Sequence, residues 1–289
     1  MYAAAEAILQ KECVSLPEVC RTLNLSRSAF YAWRQAKTTL REDHDQKLLP
    51  EVQRIFYKHR RRYGTRRIAD ELRDQGQPCG RRRVAKLMKN QGLRAIQPKS
   101  FKPRSTESRH RLGYSPNLLP EAAATTGINQ LWVGDITYVP IQGRRFSYLA
   151  IPMDRYSRRI VGWHLSEDMT EALVLKVLTK TIRTRQPEPS LIHHTDRGGQ
   201  YAAAAYRRVL KRAAMLQSMS RPDNCYDNAF MESCFGTIKT ELEMTEYENH
   251  RAAEYELSEY IAYYNLERKH SALDYLTPAQ FEAIHTSPN

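Results

Sequence analysis

The stretch from Leu131 to Ser218 constrains the fold most, because its hydrophobic period changes in a fixed order. Three strand-like runs come first: Leu131–Val139, Phe146–Asp154 and Ile160–Ser166. A helical pattern follows over Glu171–Arg185, then a strand at Leu191–Thr195, a helix over Gly199–Ala213 and a strand at Leu216–Ser218. Helical spacing returns over Asp227–Glu243 and Glu248–Asn265. Alternating apolar residues suit a sheet, and apolar residues three and four apart suit a helix face. This order predicts an α/β unit over 129–289, a mixed sheet with helices packed on it.

Charge separates that unit from what precedes it. Residues 1–128 carry 26 Lys and Arg against 12 Asp and Glu, whereas residues 129–289 carry 19 against 20. The whole net charge of +13 therefore resides in the first part, which points to a polyanionic partner such as nucleic acid. No apolar run approaches the roughly 18 residues of a membrane span. Glu6, Lys11 and Glu12 interrupt any signal-peptide core. Five scattered cysteines without a C-x-x-C pair fit a reducing cytosol and argue against a disulfide framework or zinc ribbon.

Residues 1–95 read as short helices. Apolar residues recur at helical spacing in Glu18–Leu23 and Ser28–Arg34, and Leu23-Asn24-Leu25-Ser26 forms a compact turn between them. Asn24 tolerates the left-handed conformation, and Ser26 is a good N-cap. This is a helix-turn-helix pattern with Ser26–Arg34 as the candidate recognition helix, Arg27 among its DNA-facing residues. Leu9, Leu16 and Leu23 fall seven apart, but Pro17 inside the run argues against a zipper. A second pair follows: Thr65 as cap of a helix through Leu72, ended by Gly76, then a helix opening at Arg81 and closed by Gly92. Its cations, Arg61, Arg62, Arg66, Arg67, Arg81, Arg82 and Arg83, suit phosphate contacts. Residues 96–128, interrupted by Pro98, Pro103, Pro116 and Pro120, read as an extended basic linker.

Three carboxylates stand out in the α/β unit. Asp135 sits mid-strand among Leu131, Trp132, Val133, Ile136, Tyr138 and Val139, where a buried carboxylate needs a partner or a raised pKa. Asp196 follows the run Leu191–Thr195 and precedes Arg197-Gly198-Gly199, at the end of a strand where ligand sites collect. Glu232 lies on a helix with Asn228 and Lys239 along one polar stripe beside the apolar Met231, Phe235, Ile238 and Leu242. Singly, each reads as well as a structural acid, a turn or a solvated face. Together they offer the hard oxygen ligands that Mg²⁺ takes while keeping several waters.

These residues resemble the DDE transposase and retroviral integrase superfamily. Thirty-five residues separate Asp196 from Glu232, the spacing of the D,D-35-E signature. More narrowly, the chain resembles the OrfB-type transposases of the insertion-sequence-three family. The motifs are Trp132 to Tyr138, His194 to Tyr201 and Asp227 to Ser233, with Lys239 seven residues beyond Glu232. Tyr264-Asn265, Arg268, His270-Ser271, Leu273 and Thr277-Pro278-Ala279 match the C-terminal signature.

The resemblance implies an RNase H-like integrase catalytic core. In it Asp135, Asp196 and Glu232 are the catalytic acids and hold two Mg²⁺ ions, which Mn²⁺ can replace. Lys239, Arg197 and Asn228 contact DNA. It further implies strand cleavage and strand transfer at the ends of a bacterial insertion sequence, in the cytoplasm at the nucleoid, by a homo-oligomer assembled on element-end and target DNA. The chain lacks the His₂Cys₂ module of retroviral integrases and a convincing zipper, so an OrfA protein or fused OrfA segment is an expected partner. Two other readings stay open: a non-catalytic DNA-binding regulator or inhibitor of the element, and an RNase H-like nuclease that cuts without joining.

Overall fold

The computed structural model describes residues 1–11, 14–35, 40–98, 113–119, 125–143, 145–221 and 229–286. The chain divides into two compact units, Met1–Arg94 and Ala95–Asn289.

The first unit is all helical. Helices α1 (Tyr2–Lys11), α2 (Leu16–Thr22) and α3 (Arg27–Arg34) enclose Ala5, Val19, Cys20 and Phe30. Glu18 accepts a 3.0 Å hydrogen bond from the Ser15 backbone N–H, which satisfies a donor that the start of α2 leaves unpaired. Ser26 caps α3 by accepting from the Ala29 N–H, and Asn24 has φ 49°, as the turn between the helices requires. Helices α4 (Leu40–Lys58), α5 (Thr65–Asp74) and α6 (Arg81–Asn90) follow.

Sequence spacing did not reveal α1 or α4. Pro50 lies inside α4 and cannot donate a helical hydrogen bond, yet Leu48, Val52, Ile55 and Phe56 make one buried stripe that holds the helix together. Gly64, not Thr65, occupies the N-cap of α5, so Thr65 is its first helical residue. Gly76 and Gly92 have φ of 71° and 65°, a conformation that suits glycine after each helix end.

The second unit is built on a five-stranded mixed sheet in the order β3-β2-β1-β4-β5. The strands are β1 (Leu131–Ile141), β2 (Arg145–Asp154), β3 (His164–Ser166), β4 (Ile192–Thr195) and β5 (Leu216–Met219). The first three pair antiparallel, while β4 and β5 add in parallel. Trp132, on one face of β1, packs with α7 (Glu171–Arg185), α8 (Gly199–Ala202) and α9 (Ala204–Arg212). On the other face, Val133 and Val139 pack with α10 (Ala229–Glu241) and α11 (His250–Leu266). The chain ends in α12 (Pro278–Thr286), which the sequence did not reveal.

Two expected elements are shorter than their hydrophobic pattern. Of the expected strand Ile160–Ser166, His164–Ser166 forms β3 and Ile160 makes a separate bridge to Met153 of β2, while the Asn265 side chain takes the backbone N–H and C=O of Ile160 at 3.0 and 2.9 Å. The expected helix Gly199–Ala213 breaks at Ala203, whose ψ of 145° is extended. Residues 113–119, from the proline-rich stretch, run beside β5: Met219 N–H donates to Pro116 O, and Leu118 N–H to Ser218 Oγ. That covers a sheet edge that would otherwise present unpaired backbone groups. Cys20, Cys79 and Cys234 are free thiols, and Cys13 and Cys225 fall outside the described residues. No described helix is long and apolar enough to cross a membrane.

Candidate active site

Parallel pairing of β1 with β4 brings two of the three acids together. Gly134 pairs with Thr195, so Asp135 and Asp196 are the next residues on neighbouring strands, which run about 4.8 Å apart. Both side chains are half-buried, and Asp135 is less enclosed than its apolar strand led the sequence analysis to expect. Asp135 Oδ1 accepts from the Ile136 N–H at 2.7 Å. Asp196 Oδ1 accepts from the Gly198 N–H at 2.9 Å, closing a turn as the chain leaves the sheet. A Cβ at Gly198 would stand 3.1 Å from that oxygen and 2.9 Å from Gln200 Oε1, so a larger residue there would push on both side chains.

Tyr201 is buried in the core on the Trp132 side of the sheet. Burial pushes its phenol pKa well above the usual value, and the charges of Asp135 and Asp196 act in the same direction. Lys239 reaches the site from α10. Burial lowers its pKa, while the charge of Asp135 opposes that shift and marks their proximity.

Glu232 lies in the first turn of α10 and is exposed. It is not gathered with the aspartates: among the described residues, no group of three or more His, Cys, Asp or Glu side chains could hold a metal ion. Asn228 falls outside the described residues.

The two histidines before Asp196 are buried supports. His194 bonds Ser218 Oγ and Ser220 Oγ at 2.8 and 3.1 Å. His193 Nε2 lies 2.6 Å from the Tyr206 hydroxyl, and burial lowers the imidazole pKa to about 4. Arg197 is engaged within the unit, donating to Ser220 O at 2.7 Å with its guanidinium 4.5 Å from the Tyr114 ring centre.

The cations of the first unit divide by exposure. Arg27, Arg61, Arg66, Arg81 and Arg82 are exposed. Arg67 is half-buried with its guanidinium 5.6 Å from the Tyr63 ring centre, and Arg83 forms an ion pair with Asp45. Arg62 is only 9% exposed and has little to offer a polyanion. The sequence analysis passed over Lys86 and Lys89, which are exposed on α6 with Arg82; their spacing of i, i+4 and i+7 was the available signal.

Comparison with known proteins bears on these features. Residues 126–225 match a family model described as an integrase core domain, residues 214–278 a second integrase core model, and residues 43–101 an HTH-like domain. The chain is 39% identical over 274 residues to "Transposase InsF for insertion sequence IS3A" of Escherichia coli strain K12, covering 93% of this chain and 94% of that protein. The chain belongs to the insertion-sequence-three family of transposases.

A second relative of this transposase is "Insertion element IS600 uncharacterized 31 kDa protein" of Shigella sonnei, 41% identical over 91% of this chain and 97% of that one. The solved catalytic core of HTLV-2 integrase in complex with magnesium is 12% identical, covering 55% of this chain and 99% of that one, with a TM-score of 0.43. A likeness that distant carries no argument about chemistry. The mixed sheet flanked by helices is the integrase catalytic core of the transposase, the fold that its sequence implied. The HTH-like match falls on α4 to α6, downstream of the α2–α3 pair singled out by sequence spacing.

Proposed function

We propose that this transposase binds the ends of its insertion sequence and cuts and rejoins DNA strands there, with Asp135, Asp196 and Glu232 as catalytic acids. The observation that carries the reading is the placement of Asp135 and Asp196 side by side on β1 and at the end of β4, half-open and beside Lys239. Two hard carboxylates leaving positions open suit Mg²⁺, and Mn²⁺ by the same donor chemistry. When bound, a pair of such ions activates an attacking oxygen and stabilises the departing one.

The protein's own groups do the rest. Asp135 and Asp196 hold the metal side of the site on a rigid sheet. Glu232, exposed on the first turn of α10, would be the third ligand of such a metal site. Lys239 neutralises charge on the DNA beside the aspartates. Arg197 and Asn228 flank the site in sequence, and the exposed arginines of α3, α5 and α6 grip the duplex. The active form is an oligomer holding two element ends, and an OrfA protein or fused segment supplies what the missing zipper does not.

The test is incubation of labelled end DNA with Mg²⁺, scoring cut and joined products. Asp135→Asn, Asp196→Asn and Glu232→Gln should each abolish both products while binding in EDTA persists. Full activity in any one of the three variants removes that acid from the mechanism, and cut products without joined ones favour a plain nuclease.

A further inference from the structure

Three residues near Glu232 take no part in the chemistry so far described. Phe230 opens α10 two residues before Glu232 and is half-buried. Two guanidiniums lie over its ring: Arg158 Cζ is 4.1 Å from the ring centre and Arg155 Cζ is 4.9 Å away. Both belong to the turn after β2, where the Arg155 N–H donates to Leu131 O at the start of β1.

Among the described residues, the acids around this turn have hydrogen-bond or ion-pair partners of their own. Asp154 accepts from the backbone N–H of Asn129, Tyr156 and Ser157 and from Ser157 Oγ. Glu282 takes Arg159 and Arg185. Arg159 is thus paired, whereas neither Arg155 nor Arg158 forms an ion pair among the described residues.

Two like charges on one aromatic ring repel each other, and the ring's attraction for cations offsets that only in part. Burial lowers the pKa of Arg158 and the charge of Arg155 adds to the shift, while Tyr264 and Asp154 oppose it. Arg158 also has φ 60°, the left-handed region that a side chain such as arginine rarely adopts. A left-handed arginine and two crowded like charges at one spot are features that persist where a site uses them.

We propose that Arg155 and Arg158, seated on Phe230, form a phosphodiester-binding site for the DNA strand that passes the first turn of α10. A guanidinium presents a planar fork that matches phosphate oxygens, and an anion between two of them removes their mutual repulsion. Phe230 holds both guanidiniums over one ring. The proposal rests on the DNA-cutting reading above, because the substrate supplies the anion.

The experiment uses the full chain and end DNA in EDTA, so that binding is measured without cleavage. The Arg155→Gln/Arg158→Gln double variant should bind roughly tenfold more weakly, with a salt dependence shallower by about 0.9, as loss of one phosphate contact requires. In the wild type, a neutral methylphosphonate at one position near the cut should weaken binding to a similar degree, and it should add nothing in the double variant. Arg155→Lys/Arg158→Lys should retain the salt slope, and thermal melting checks that each variant is folded. An unchanged slope together with unchanged methylphosphonate interference overturns the site. So does a double variant that binds normally and only cuts slowly, since the pair would then merely support Glu232. Glu232→Gln, run in parallel, should keep the interference pattern; if it also cuts normally, the catalytic assignment fails while the phosphate site stands.

Discussion

Gly134 lies so close to His193 that a Cβ at position 134 would stand 2.8 Å from the imidazole Cε1. The ring cannot easily retreat, because Nε2 is held by the Tyr206 hydroxyl at 2.6 Å and the side chain is buried. The Gly134→Ala variant therefore overpacks the interior directly behind Asp135. It should be destabilised by about 1–3 kcal/mol, seen as a lower urea midpoint at unchanged slope. A midpoint equal to that of the parent would mean that His193 and Tyr206 shift to make room.

The same imidazole makes stability depend on pH. Its pKa falls from 6.5 to about 4 on folding, because burial disfavours the charged ring. The native state therefore binds fewer protons than the unfolded chain between those values, so stability is complete above pH 6.5 and declines as pH falls towards 4. A gap of that size corresponds to roughly 3 kcal/mol at most. Urea unfolding at pH 7 and pH 4.5 should show the decline in the parent and a smaller one in His193→Gln. Equal declines would place the acid sensitivity in other groups.

The sequence disclosed some of this architecture and hid the rest for identifiable reasons. Near-continuous apolar runs located β1 and β2 because each is buried on both faces for much of its length. Strand β3 was overestimated because Ile160 and His164–Ser166 both pair with β2 while residues 161–163 between them leave the ladder, a break that an apolar run does not show. In the site, Asp135 within an apolar strand and Asp196 at a strand end each stood out in the sequence, and the parallel pairing of β1 with β4 sets them side by side. The exposure of Glu232 was not, since a polar stripe reads alike whether it borders a cleft or solvent. Arg155 and Arg158 gave no signal, because an arginine that stacks and one that pairs, such as Arg159, are identical letters in one run.

Long-range pairing also explains part of the C-terminal signature. Arg268 Nη2 lies 2.7 Å from Glu241 Oε1, both side chains are almost fully buried, and Tyr260 donates to the same carboxylate at 3.0 Å. Replacing Arg268 by Met leaves a buried acid without its cation and should cost about 3–5 kcal/mol. Glu241→Gln/Arg268→Met together should cost clearly less than the two single changes added, because neither partner is left as an uncompensated charge. Chemical denaturation of the four proteins measures this coupling. Simple additivity would show that the pair does not act as a unit.

Helix α6 offers the sharpest division between cations that hold the fold and cations that face outward. Val84, Leu87 and Met88 are buried, while Arg82, Lys86 and Lys89 are exposed at i, i+4 and i+7 with no acid anywhere in the helix. Such a stripe suits successive phosphates and carries no sequence information. Arg82→Ala/Lys86→Ala/Lys89→Ala should therefore weaken binding to element-end and random duplexes by the same factor. If each side chain neutralises one phosphate, the logarithmic salt slope should fall by about 2.7. Arg83→Ala and Arg62→Ala should behave in the opposite way, because Arg83 pairs with Asp45 and Arg62 is enclosed: melting temperature drops while the salt slope holds. Fluorescence anisotropy across a salt series, paired with thermal melting, separates the two classes. A triple variant that loses affinity only for the element end would instead make α6 a reader of sequence.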